Sequence, residues 1–144
     1  MSLAPASDRP SNGWRMAPAL VMLVVLGLTP SLRAGSDEGE GLALFEAKIR
    51  PVLIEQCYSC HSTEAKAAKG GLRLDTRAAM LDGGDGGPAV EPGDPEASLL
   101  IEAIRYDSYV KMPPSGKLSP EVIAAFEQWI SLGAPDPRDD VDSS

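Results

Sequence analysis

The chain contains two cysteines and one histidine, and all three fall within five consecutive residues, Cys57-Tyr58-Ser59-Cys60-His61. Thiols three positions apart in a helical turn lie on one face and can add to two vinyl groups on neighbouring edges of one macrocycle. The histidine that follows lies beneath the centre of that ring and offers an imidazole nitrogen to its metal. The C-x-x-C-H spacing is the attachment sequence of c-type haem, and covalent attachment keeps a large cofactor in place even where little protein surrounds it.

Other uses of these residues fit less well. A Cys57–Cys60 disulfide would close a loop too short to constrain the unfolded chain much. A thioredoxin-like dithiol calls for a strand before it and a βαβ setting, and the sequence offers neither. Structural zinc needs four ligands, and no Cys or His remains after these three. The same scarcity argues against a dispersed Ser-His-Asp triad and excludes a multi-disulfide scaffold.

The second axial ligand of the iron follows by elimination. His61 is the only histidine, so a second imidazole cannot come from this chain. Outside the first 34 residues only Met80 and Met112 carry a thioether. Met80, in Arg77-Ala78-Ala79-Met80-Leu81, reads as helix packing. Met112 lies in Lys111-Met112-Pro113-Pro114, where two prolines stiffen the backbone and suit it to holding a weak sulfur ligand. The expected site is therefore Cys57 and Cys60 on one haem c, with His61 as proximal and Met112 as distal iron ligand. A backbone carbonyl is expected to orient the His61 ring, and Lys69 and Arg73 are candidates for propionate pairing.

The 144 residues include 13 Lys or Arg and 21 Asp or Glu, a formal charge of −8. That balance argues against nucleic-acid binding, which needs cations in excess. Residues 1–34 read as an export signal, with Arg9 and Arg15 ahead of the apolar stretch 17–28 and a cleavage point after Ala34. The apolar stretch is too short to span a bilayer, so membrane association is expected only if the signal stays uncleaved as an anchor. Without the signal, the chain loses Arg9, Arg15, Arg33 and Asp8, and its net charge becomes −10. Such a surface would steer a redox partner carrying a basic docking patch. The expected location is the periplasm or an equivalent extracytoplasmic compartment.

Several short helices must position the four site residues. Residues 35–41 read as a flexible acidic arm. Leu42, Phe45, Ile49, Val52 and Leu53 recur at helical spacing, with a kink or restart expected at Pro51. Asp75 or Thr76 can cap a short helix through Leu81. Asp94-Pro95-Glu96 should open another, with Leu99, Leu100, Ala103 and Ile104 as its stripe. Residues 107–118 form the loop that carries Met112. Ser119-Pro120-Glu121 opens the last helix, whose apolar face is Val122, Phe126, Trp129 and Ile130. The expectation is an all-α domain of four to five short helices and ordered loops over 42–136, with a disordered acidic tail at 137–144. So small a core often needs a staple, and a covalent haem would be one.

Taken together, these stretches resemble the class I cytochrome c fold and, more closely, the planctomycete-type cytochrome c domain. The resemblance rests on Lys48-Ile49-Arg50-Pro51-Val52-Leu53, Cys57-Tyr58-Ser59-Cys60-His61-Ser62 and Lys69-Gly70-Gly71-Leu72-Arg73-Leu74-Asp75. It continues through Pro92-Gly93-Asp94-Pro95-Glu96-Ala97-Ser98-Leu99-Leu100 and Lys111-Met112-Pro113-Pro114, then Trp129-Ile130 to Gly133-Ala134-Pro135. It implies a one-electron carrier rather than an enzyme. It also implies that the first and last helices cross, with Gly41 and Phe45 facing Trp129 or Phe126. A haem-based sensor or enzyme with an open distal position, and an interaction module of a larger exported assembly, are the competing functions.

Overall fold

A computed structural model describes residues 34–138. Residues 1–33, which hold all but the last position of the expected export signal, and residues 139–144 of the expected acidic tail lie outside the described residues. Among those described there is no β-strand, only an isolated bridge between Gly84 and Gly87, so the all-α expectation holds. None of the described helices is long and apolar enough to cross a membrane.

The chain opens on a long helical run. α1 (Ala34–Leu44) passes without a break into a π-helical turn (Phe45–Ile49), then α2 (Arg50–Val52) and a second π-helical turn (Leu53–Cys57). Pro51 lacks an N–H, and in a straight α-helix its ring would strike the carbonyl of Ala47. The π turn immediately before it widens the coil by one residue and makes the room. Ile49 (φ −73°, ψ −53°) and Leu53 (φ −57°, ψ −47°) stay in helical dihedrals on either side. The expected kink or restart at Pro51 thus takes the form of a change in bonding register. Phe45, Ile49 and Leu53 form the buried stripe, with Val52 packed at its edge.

α1 also takes in residues 35–41, the stretch whose composition suggested a flexible arm. Gly41 is what lets it dock: a Cβ there would overlap the Pro135 ring and press on Leu132. Gln128 Nε2–H donates to Glu40 Oε1 at 3.0 Å across the same contact. Composition reports the low hydrophobicity of this arm but cannot report a close approach made through a missing side chain.

α3 (Arg77–Asp82) is capped by Thr76, whose Oγ1 accepts the Ala79 N–H at 3.1 Å. Asp75 is engaged elsewhere, accepting the Thr63 N–H at 2.6 Å. α4 (Leu99–Arg105) starts later than the Asp94-Pro95 signal predicts. Asp94 instead caps a turn by accepting the Ala97 N–H, and buried Ser98 closes it: its Oγ donates to the Asp94 carbonyl and accepts the Glu91 N–H, both at 2.9 Å. The stripe shifts accordingly to Leu100, Ile101 and Ile104, and Leu99 is left exposed. α5 (Pro120–Ser131) begins as expected at Ser119, which accepts the Val122 N–H.

The core lies where the first helical run and α4 meet α5. Trp129 is fully buried, 5.6 Å from the Phe45 ring and 6.4 Å edge-on from Phe126, and its Nε1–H donates to the Pro135 carbonyl at 2.9 Å. Ring pairs at these separations add about 0.5–1.5 kcal/mol beyond area burial. The expected crossing of first and last helices therefore forms through Phe45 and Trp129, while Gly41 lies against Pro135 and Leu132. Met80 is wholly buried in the core, in keeping with its reading as packing.

Candidate functional site

The second π turn ends at Cys57, and the chain then folds into one tight turn. The N–H groups of Cys60 and His61 both donate to the Cys57 carbonyl, at 3.1 and 2.9 Å. Buried Ser62 donates its hydroxyl to the Tyr58 carbonyl at 2.8 Å. Both cysteines are unpaired and half-buried. The two thiols and the imidazole thus lie on one turn, as the spacing predicts.

An extended strip from Leu72 to Asp75 runs beside that turn and fixes it. The Leu74 N–H donates to the His61 carbonyl at 2.9 Å, and the Lys69 N–H to the Cys60 carbonyl at 3.1 Å. His61 Nδ1 lies 3.2 Å from the Leu72 carbonyl. A carbonyl only accepts, so the ring proton is on Nδ1 and the lone pair on Nε2 is free for a metal. The orienting carbonyl expected from the sequence is therefore that of Leu72. Lys69 and Arg73, the candidates for propionate pairing, are both exposed.

Met112 is half-buried, on a loop tied down at several points. Its N–H donates to the Ala103 carbonyl of α4 at 3.1 Å. The Tyr106 hydroxyl donates to the Pro113 carbonyl at 2.5 Å, and Lys111 Nζ lies 5.8 Å from the Tyr106 ring centre. Ser115 Oγ–H donates to Gln56 Oε1 at 3.5 Å, which joins this loop to the residue just before Cys57. The strips that carry His61 and Met112, more than fifty residues apart in sequence, are thereby brought to one end of the first helical run.

The donor set and its surroundings fit a covalently held haem. Four large apolar side chains are exposed among the described residues: Ile54, Leu99, Tyr109 and Val110. Ile54 lies three residues before Cys57, and Tyr109 and Val110 lie just ahead of Met112, so three of the four flank the strips that carry the candidate residues. An apolar macrocycle held between those strips would cover surface that otherwise faces water. A metal-ion cage fits less well, because no three His, Cys, Asp or Glu side chains among the described residues are gathered to hold one. Burial pushes the Cys57 thiol up to about 11, whereas redox-active dithiols have depressed values. A cleft of about 650 Å³ lies elsewhere, lined by Asp37, Leu42, Arg77 and Pro135 among others, and contains none of the four site residues.

One residue of this neighbourhood escapes a reading of the sequence. Arg138 falls in the stretch assigned to a disordered tail, yet its Nη1 donates to the Tyr58 hydroxyl and, at 3.0 Å, to the Leu74 carbonyl. The ordered fold therefore continues past residue 136. Residues 57–116 match the model of the family described as Planctomycete cytochrome C, a span that starts at Cys57 and includes Met112. No curated protein and no solved structure matches the chain.

Proposed function

Because residues 57–116 carry a planctomycete-type cytochrome c domain, we propose that the protein is an exported carrier of single electrons with one covalent haem. Cys57 and Cys60 would hold the macrocycle through thioethers, and His61 and Met112 would hold the iron. When bound, that group supplies a reversible one-electron change at its iron. The observation that carries the reading is His61, whose Nδ1 proton is committed to the Leu72 carbonyl on the turn that presents both thiols.

The chain's own residues set the conditions of that chemistry. The Leu72 carbonyl fixes the imidazole tautomer and the direction of the ring. Met112, as the thioether that would hold the iron opposite His61, would favour the reduced state and exclude water from that side. Tyr106, Ala103 and Gln56 hold the Met112 loop in place. Export is supported by the arginines and apolar stretch of residues 1–34. The charge of −10 on residues 35–144 supports steering of a basic partner; association that strengthened with added salt would count against it.

The test is expression in cells equipped for haem attachment, followed by acid extraction and a pyridine haemochrome of the retained pigment. One non-extractable haem per chain is expected, and none would sink the proposal. The half-exposure of Met112 favours a second reading, a haem sensor or enzyme with a displaceable distal ligand. Slow carbon monoxide binding by the reduced protein, fast only in Met112→Ala, supports the carrier; fast binding without substitution supports the second reading.

A further inference from the structure

Arg138 is the point where the end of the domain meets the C-x-x-C-H turn. Its guanidinium is nearly enclosed, and the carboxylate of Asp136 beside it is completely so. Arg138 Nε–H donates to Asp136 Oδ1 at 2.8 Å, Nη2–H donates to Oδ2, and the Arg138 backbone N–H donates to Oδ1 at 3.0 Å. That forked pair leaves Nη1 to donate to the Tyr58 hydroxyl and the Leu74 carbonyl. The cation also lies over the Phe45 ring, 4.9 Å from its centre.

Two of these contacts, to Tyr58 and to Leu74, touch the proximal side of the candidate site. Tyr58 lies between the two cysteines in sequence. The N–H of Leu74 donates to the carbonyl of His61, and two residues earlier the Leu72 carbonyl accepts from the His61 ring. One planar cation thus joins the turn that presents His61 to the strip that orients it, across eighty positions of sequence. Stability alone accounts poorly for such a group, since a buried ion pair commonly does no better than well-packed apolar side chains. Geometry accounts for it: only a guanidinium offers a carboxylate two parallel donors while a third nitrogen serves two further oxygens.

We propose that Arg138 is a positioning residue for the proximal ligand, fixing the direction of the His61 ring through Tyr58 and Leu74. This rests on the reading of His61 as an iron ligand. Arg138→Lys keeps the charge beside Asp136 but loses the fork, and Tyr58→Phe removes a single donor–acceptor pair without leaving Asp136 unpaired.

The experiment uses the haem-loaded protein and its two variants. Paramagnetic NMR of the oxidised form reads the orientation of the His61 ring, and amide exchange reads the hold on Leu74 and His61. The ring signals should move in both variants, more in Arg138→Lys. Exchange at Leu74 and His61 should quicken about tenfold in Arg138→Lys while α4 amides keep their rates. A midpoint potential that shifts in the same order would support the role. Unmoved ring signals in both variants, with only the melting temperature lowered, would overturn it. If Arg138→Lys fails to fold, Tyr58→Phe decides by the same signals. Absence of any paramagnetically shifted His61 signal in the unsubstituted protein would instead overturn the ligand reading itself.

Discussion

The Tyr106 hydroxyl offers a quantitative handle on the distal side. Tyr106 closes α4 in the left-handed region, at φ 65° and ψ 27°, a conformation uncommon for a bulky residue. From there its hydroxyl reaches the Pro113 carbonyl at 2.5 Å, next to Met112. Tyr106→Phe keeps the ring and its contact with Lys111 and deletes only that hydrogen bond. The Pro113 carbonyl still accepts the Gly116 N–H at 3.3 Å, and the Met112 N–H still reaches Ala103 at 3.1 Å. No buried acceptor is stranded, so the loss is that of one ordinary hydrogen bond, about 1 kcal/mol. If the bond restrains the loop with Met112 on the iron, the open fraction rises about fivefold, and the apparent affinity for an external ligand rises with it. The assay is an absorbance titration of the oxidised protein with imidazole, with Met112→Ala as the fully open limit. An affinity for Tyr106→Phe indistinguishable from that of the unsubstituted protein would refute the reasoning about the loop. An unchanged affinity in Met112→Ala as well would refute Met112 as the ligand.

Gly41→Ala should drive a methyl into the Pro135 ring, whose carbonyl also receives the Trp129 indole. Overpacking of that kind costs about 1–3 kcal/mol, read by calorimetry as a drop of about 4–8 °C per kcal/mol; an unchanged melting temperature would show that the contact yields freely. Ser98→Ala strips a buried turn of two hydrogen bonds and should cost about 1–3 kcal/mol in urea denaturation. Burial pushes the Asp75 carboxyl up, but hydrogen bonds from Thr63 pull it further down; the guanidinium of Arg105 lowers Glu96, and the Ser119 hydroxyl lowers Glu121. All three have folded values below their unfolded ones, so their stabilisation is complete at neutral pH and is lost as pH falls below about 4. A denaturation midpoint that stayed level between neutrality and about pH 3 would contradict that sign. Replacing Cys57 and Cys60 together by serine removes the covalent hold on the cofactor. Binding of an apolar dye should then increase around Ile54, Tyr109 and Val110, and no increase would mean that the cofactor does not cover them.

Much of the fold is legible because short-range chemistry dictates it. Ser119-Pro120 and Thr76 start helices by supplying the acceptor that a helix end needs, and the structure uses both. Asp94 carries the same signal, but there it is outvoted. Buried Ser98 bonds back to Asp94 and across to Glu91, and that holds the first turn out of the helix. The delayed start rotates the buried face onto Ile101 and leaves Leu99 in solvent. Nothing within the helix sequence distinguishes those two stripes; the choice is made by a hydroxyl whose partners lie outside it. Pro51 is a similar case, since its missing N–H is plain in the sequence while the π turns that accommodate it depend on where Phe45 and Leu53 must be buried.

The site divides along the same line. Cys57, Cys60 and His61 stand out as candidates because the chemistry is contained in five residues, and Met112 is proposed beside them because two prolines mark a rigid strip among very few thioethers. What orients them comes from a distance. That a carbonyl would accept the His61 proton is general metal-site chemistry; that it is the Leu72 carbonyl depends on a loop closing over eleven residues. Arg138 is harder still to see. It stands between Asp136 and the acids at 139 and 140, where any local count returns an acidic tail. Yet a buried cation against a buried carboxylate contributes nothing to such a count, because the two cancel. The acidity that makes this end look like solvated tail is in part what allows Arg138 to be buried there: Asp136 supplies the counter-charge without which the guanidinium could not leave water. A charged segment next to a small core is therefore better judged by whether its charges can pair than by their sum.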